Sequence, residues 1–137
     1  RLCRTHRLMF AYLSDALIKE GKNEMAKQAL DRCMEVLPTS TVLIDYSCIL
    51  LAKNYYKLNE QEKANALMRE VADNSIEKIM WVLTLPDNMK NSVSRENGVQ
   101  QNLAILHNVY SECENYNNEL ATEIYKEFEA LYYKIAD

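Results

Sequence analysis

A chain of 137 residues, 48% apolar, is long enough for one real core and too apolar to stay disordered. Two glycines and two prolines are too few for an all-β fold or a Gly-rich phosphate loop. The formal net charge of −4 argues against a nucleic-acid partner, because binding phosphates demands a basic surplus.

The first predicted helix carries Leu8, Ala11 and Tyr12 at helical spacing, with Phe10, Leu13 and Leu17 beside them, and Gly21 ends it. A second follows through Met25, Ala26, Ala29, Leu30, Cys33 and Leu37, and Pro38 closes it. Thr39, Ser40 and Thr41 are N-cap candidates for a third helix through Ile44, Cys48, Leu51, Ala52, Tyr55 and Leu58. After Asn59, acidic residues open a fourth helix with Ala64, Leu67, Met68, Val71 and Ala72. A shorter fifth helix is expected over 75–85, with Ile76, Ile79, Met80 and Leu83. Residues 86–98 read as the most loop-like stretch. The sixth helix carries Val99, Leu103, Leu106, Val109, Tyr110 and Cys113. The seventh carries Leu120, Ala121, Ile124, Phe128, Leu131 and Ile135. Their short connection, Glu114 to Asn118, predicts antiparallel packing.

An internal repeat is the strongest signal. Phe10, Leu13-Ser14, Leu17, Ala26, Leu30 and Pro38 follow the tetratricopeptide spacing, and Cys48, Leu51-Ala52, Tyr55, Ala64 and Met68 follow it again. The alanines are 38 positions apart, four more than the usual period of about 34. Trp is missing from the first position of both copies, and Asn59 stands where the first copy has Gly21. Two ordinary helical hairpins would be the plainer account of the same spacing. The expectation is a single all-α domain over 1–137, a tetratricopeptide-like superhelix of about seven helices. Helix pairs occupy 4–38 and 41–73, and capping helices occupy 75–137, because an open stack needs its apolar ends covered.

Several chemistries are not expected. His6 and His107 are far apart and lie in no motif, and the carboxylates are scattered over exposed faces, so catalysis is not anticipated. Cys3 and His6 form one C-x-x-H with no second pair, so no metal or other cofactor is anticipated either. Cys33, Cys48 and Cys113 fall on apolar faces and read as small hydrophobes. No run of 18 apolar residues could span a bilayer. Recognition suits stacked helix pairs better, because they expose a concave face built from the first helix of each pair. Its candidate residues are Asp15 and Lys19 from the first pair and Tyr46, Ile49, Lys53, Tyr56 and Lys57 from the second. Two tyrosines among lysines would anchor a peptide or an acidic segment, although Tyr46 and Tyr56 could equally pack on neighbouring helices. The nine tyrosines suit helix seams as well as interfaces.

Charge is uneven, +3 over residues 1–22 and −5 over 112–137. A mixed solvated surface accounts for this, and so would a basic end carrying Arg1, Arg4 and Arg7 that faces a membrane or an acidic partner. The stretches Leu17-Ile18-Lys19-Glu20-Gly21-Lys22, Ala29-Leu30-Asp31-Arg32-Cys33 leading to Leu37-Pro38, Tyr55-Tyr56-Lys57-Leu58 and Glu62-Lys63-Ala64-Asn65 prompt a family resemblance. They resemble the soluble C-terminal helical tail of bacterial multi-spanning membrane proteins similar to protein O-mannosyltransferases. The resemblance implies that sugar-transfer chemistry belongs to a membrane part outside this chain, and that the tail serves docking or assembly with a protein partner. The start at Arg1, inside a predicted helix, fits a piece of a longer protein. The arginines would suit the cytoplasmic side, whereas the resemblance implies the outer side. The alternatives are a free-standing peptide-binding adaptor and a helical domain that binds a small ligand.

Overall fold

In the computed structural model, residues 2–38, 46–90, 92–93, 98–116 and 118–136 are described, and they form seven helices and no strand. These are α1 (Leu2–Lys19), α2 (Asn23–Val36), α3 (Tyr46–Lys57), α4 (Gln61–Thr84), α5 (Asp87–Lys90), α6 (Val99–Tyr116) and α7 (Asn118–Ala136). The number matches the sequence reading, but the membership does not. The fourth and fifth predicted helices are one continuous helix, α4, because no glycine or proline interrupts Asp73-Asn74-Ser75 and Ser75 is buried within it. The seventh helix in the count is instead α5, one turn inside the stretch read as loop, opened by amide bonds from Met89 and Lys90 to the Pro86 carbonyl. The N-cap candidates Thr39, Ser40 and Thr41 lie outside the described residues.

Where the sequence reading drew one domain, the contacts group into two compact units, 1–68 and 69–137, and the division falls inside α4.

The first unit is built on a repeated turn. At the end of α1 the Lys22 amide donates to Leu17 O (2.8 Å) and the Gly21 amide to Ile18 O (3.0 Å), with Gly21 at φ +79°. At the end of α3 the Glu60 amide donates to Tyr55 O (2.9 Å) and the Asn59 amide to Tyr56 O (3.0 Å), with Asn59 at φ 62°. Both are the left-handed C-terminal cap that satisfies the last orphan carbonyls of a helix. Every donor and acceptor of the second cap lies 38 positions after its counterpart in the first, the offset that separates Ala26 from Ala64. Asparagine can replace glycine here because it is among the few residues that tolerate the left-handed region.

The space around Gly21 is open, so only the backbone conformation penalises a side chain there. Gly21→Ala is therefore expected to cost about 1 kcal/mol, read as a lower urea midpoint. Gly21→Asn should recover much of that loss, as Asn59 already shows the conformation is accessible to it.

The core of this unit packs α1 on α2 and on α3, and α2 on α3. Ala26, Leu30 and Cys33 of α2 are fully buried, as are Cys48, Leu51 and Ala52 of α3 and Ala64 and Met68 of α4. On α1 the buried stripe is Arg7, Ala11, Ser14 and Leu17. This corrects the sequence reading in two places. Leu13, matched to a packing position, is 51% exposed, and Arg7, assigned to a basic surface, is 0% exposed. The Arg7 guanidinium donates from Nη2 to Leu37 O (3.1 Å) and from Nη1 to Cys48 Sγ (3.2 Å), joining α1 to the end of α2 and to α3.

Burial of the Cys33 thiol, partly offset by Arg7, pushes its pKa up to about 11. That favours the protonated form and suits a cysteine packed as a small hydrophobe.

In the second unit α6 packs on α7. His107 sits 6.4 Å from Phe128 and Tyr110 5.4 Å from Tyr125, ring to ring. Advancing along α6 thus retreats along α7, which is the expected antiparallel arrangement. Leu106, Val109 and Cys113 face inward from α6, and Leu120, Ala121, Ile124 and Leu131 from α7. Arg69 of α4 bridges Asp73 on its own helix and Glu127 on α7.

Candidate functional site

The residues chosen from sequence for a concave face lie on α1 and α3, and those two helices enclose a groove of about 240 Å³. Its walls are Ala11, Tyr12, Asp15 and Lys19 from α1 and Leu50, Lys53, Asn54 and Lys57 from α3. Both sets follow helical spacing. Residues 11, 15 and 19 lie one turn apart along α1, and 50, 53, 54 and 57 share one face of α3.

Four of the seven candidates, Asp15, Lys19, Lys53 and Lys57, therefore meet in one place. The other three do not. Ile49 is buried in the core, and Tyr56 is buried with its hydroxyl donating to the Asn65 side chain on α4. Tyr46, on the first turn of α3, is half exposed but does not line the groove. Hydrophobic burial decides this: eight of the twelve residues of α3 are buried, so side chains one step from the groove point into the core.

The groove is organised by one carboxylate. Asp15 Oδ1 lies 3.1 Å from Lys57 Nζ across the groove, and Oδ2 lies 3.0 Å from Lys19 Nζ one turn along α1. Hydrogen bonds from Lys19 and then Lys57 hold the Asp15 carboxyl below the usual carboxylate range, against the opposing effect of burial. A carboxylate so stabilised is a poor general base, because it gives up affinity for the proton.

The floor was missed by sequence reasoning. Asn54 is buried, and its amide nitrogen donates to Ala11 O (3.0 Å) and to Ser14 Oγ (2.8 Å). Ser14 in turn donates to Ala11 O at 3.0 Å. This network pins α3 to α1 and fixes the width of the groove. The available signal was weak: Asn54 falls one turn after Leu50 and Leu51 in sequence spacing, where a buried amide must find partners.

A second polar cluster lies on the same unit. Tyr55 donates its hydroxyl to Asp31 Oδ1 (2.9 Å), and Lys63 pairs with the same oxygen at 3.0 Å while lying over the Tyr55 ring. Desolvation, then the bond to Asp31, pushes the Tyr55 pKa upward, so the phenol stays protonated. The cluster ties α2, α3 and α4 together.

Among the described residues, no group of three or more His, Cys, Asp or Glu side chains converges as a metal site, and no helix is long and apolar enough to cross a membrane. Compared with protein-family models, with curated proteins and with solved structures, the chain finds no match.

Proposed function

We propose that this chain is a non-catalytic interaction domain of tetratricopeptide-like construction that holds a segment of another protein in the groove between α1 and α3. The observation that carries this reading is the groove itself: a furrow of about 240 Å³ between the first helices of two repeated hairpins, lined by three lysines, one aspartate and the exposed ring of Tyr12. The repeat of both helix caps at an offset of 38 residues supports the tetratricopeptide-like assignment. An exposed aromatic beside cationic side chains provides apolar contact and charge together, the combination that dominates protein–protein binding.

The resemblance to the helical tail of membrane proteins similar to protein O-mannosyltransferases gives this binding a setting. The domain would then be the soluble, extracytoplasmic or cytoplasmic tail of a bacterial membrane protein, docking a partner for chemistry performed elsewhere in the parent. Upstream apolar runs of 18 residues or more in the parent reading frame would support that setting. Their absence would leave a free-standing adaptor with the same groove.

The binding test reverses the charge of Lys53 and Lys57 together. Affinity for a peptide ligand chosen from a displayed library should fall roughly tenfold or more. Reversal of Lys126 and Lys134 on α7 should leave it unchanged. Equal affinity of the parent and the Lys53→Glu, Lys57→Glu variant would remove this groove as the binding site.

A further inference from the structure

We propose that the aromatic face along the seam of α6 and α7 is a docking surface for a basic, arginine-bearing segment of another protein. This surface lies on the second unit and owes nothing to the α1–α3 groove.

Aromatic rings line one side of that seam. Tyr110 of α6 lies 5.4 Å from Tyr125 of α7, and His107 lies 6.4 Å from both Tyr110 and Phe128, so four rings run in contact from one helix to the other. Tyr132 follows Tyr125 by nearly two full turns, which puts it on the same side of α7, and it meets Tyr133 edge to face. Rings present only for packing would be covered. Instead Tyr125 is 47% exposed, Tyr132 58% and Tyr133 64%. The packing of the two helices is met beneath them by Leu106, Val109, Ile124 and Leu131, all buried. The outer faces of the rings are thus open to a ligand, and the face of an aromatic ring carries the negative part of its quadrupole.

Charge decides the kind of ligand. Glu114 stands one turn beyond Tyr110 on α6, and its carboxylate accepts the Tyr110 hydroxyl. That bond pushes the phenol's pKa upward, so the negative charge stays on Glu114. Glu129 stands one turn from Tyr125 and one from Tyr132, on their side of α7. Among the described residues neither carboxylate has an ion pair, and the Arg69 bridge takes Glu127 instead. The two lysines of α7 do not balance them. Lys126 is turned about 100° round the helix from Tyr125 and makes no ion pair with Glu129, and Lys134 is turned about 180°.

Open ring faces flanked by two carboxylates attract a cation, and arginine suits them better than lysine. Its planar guanidinium stacks flat on a ring while its edge donates to a carboxylate, whereas an ammonium is compact and strongly hydrated. The antiparallel pairing of Tyr110 with Tyr125 and His107 with Phe128 sets Glu114 level with Ala121, about 12 Å along the seam from Glu129. The four rings lie between the two carboxylates. About four residues of extended chain span that distance, so a segment with arginines at that spacing reaches both.

The experiment measures, by fluorescence anisotropy, the binding of three labelled Gly-Ser peptides that carry arginine, lysine or glutamate at every fourth position. The proteins are the full chain, the Tyr125→Leu, Tyr132→Leu variant, Glu129→Gln and Glu123→Gln, each confirmed helical by circular dichroism. Leucine keeps apolar bulk and removes the ring face. Glu123→Gln changes the net charge as Glu129→Gln does, but Glu123 lies about 160° round α7 from Tyr125. The arginine peptide should bind about threefold tighter than the lysine peptide, and the glutamate peptide should not bind. The tyrosine variant should weaken the arginine peptide about tenfold and Glu129→Gln about threefold. Glu123→Gln should leave it unchanged. Equal affinity for arginine and lysine peptides overturns the part given to the rings. Equal losses in Glu129→Gln and Glu123→Gln mean attraction to net charge alone and overturn the site. No binding of the arginine peptide overturns the proposal and leaves the groove reading untouched.

Discussion

Arg7→Ala lowers the stability of the first unit by about 3 kcal/mol, the largest loss expected from any single truncation on α1. Among the described residues Arg7 is the largest fully buried side chain by volume, and its guanidinium donates to Leu37 O and Cys48 Sγ. Leu37 is the C-cap residue of α2, where carbonyls lack intrahelical donors and the helix dipole places partial negative charge. A cation brought in from another helix satisfies both. Alanine removes the donors, leaves a cavity and strands the Leu37 carbonyl in the core. Arg7→Met fills the space but not the bonds, so it should recover only part of the loss. Arg7→Lys should also fall short, because a single ammonium cannot reproduce the planar fork. Urea unfolding followed by helicity reads all three. A parent-like midpoint for Arg7→Ala would mean that the guanidinium is not held where the structure places it.

Ala64→Trp should be comparably damaging, at about 3 kcal/mol or more. Ala64 has no exposed surface, and neither does Ala26, its counterpart 38 residues earlier. Both lie one turn into the second helix of a hairpin, with their amides bonded to Glu60 O and Lys22 O at the helix start. An indole at either site must push two helices apart or leave its rotamer wells. Ala66, two residues on, is exposed, so Ala66→Trp is the matched control and should melt within about 0.5 kcal/mol of the parent. If Ala64→Trp and Ala66→Trp melted alike, the helices would not cross closely at Ala64.

These two residues mark what was and was not legible in the sequence. Ala64 could be found because smallness at a fixed period has one physical cause, a close helix crossing. Arg7 could not, because its chemistry argues for the surface, and its burial is understood once partners such as the Leu37 carbonyl, thirty residues away, and the Cys48 sulfur are seen. Phe10 and Leu13 failed in the opposite sense. They match positions that Cys48 and Leu51 bury completely in the second copy, yet Leu13 is half exposed and Phe10 only partly covered. In the second copy Cys48 takes a hydrogen bond from Arg7 of α1, and α3 packs on both α1 and α2.

The candidate site divides along similar lines. Asp15, Lys19, Lys53 and Lys57 were legible because charged side chains on one face of a helix must reach solvent somewhere. Ile49 and Tyr56 were misplaced because α3 is buried on most of its circumference, and a single sequence does not reveal how wide a helix's buried arc is. Asn54 was missed for a related reason. An asparagine between Lys53 and Tyr55 reads as solvent-facing until the Ala11 carbonyl and the Ser14 hydroxyl appear opposite it. The continuity of α4 was missed because Asp73-Asn74-Ser75 looks like a turn, but polar residues of this kind end a helix only when their side chains capture backbone groups.

The elevated pKa of Cys33 bears on the chain's exposure to oxidants. A thiol held protonated and covered by packing is almost inert, whereas the same cysteine in an open chain returns to about 8.5 and reacts as its thiolate. Cys33 lies beneath α1 and α3, so alkylating or oxidising reagents reach it only while that packing is broken. Its rate of modification is thus governed by how often the first unit opens. Oxidation of Cys33 would therefore accumulate in proportion to the unit's excursions from the native state, not to the abundance of oxidant alone.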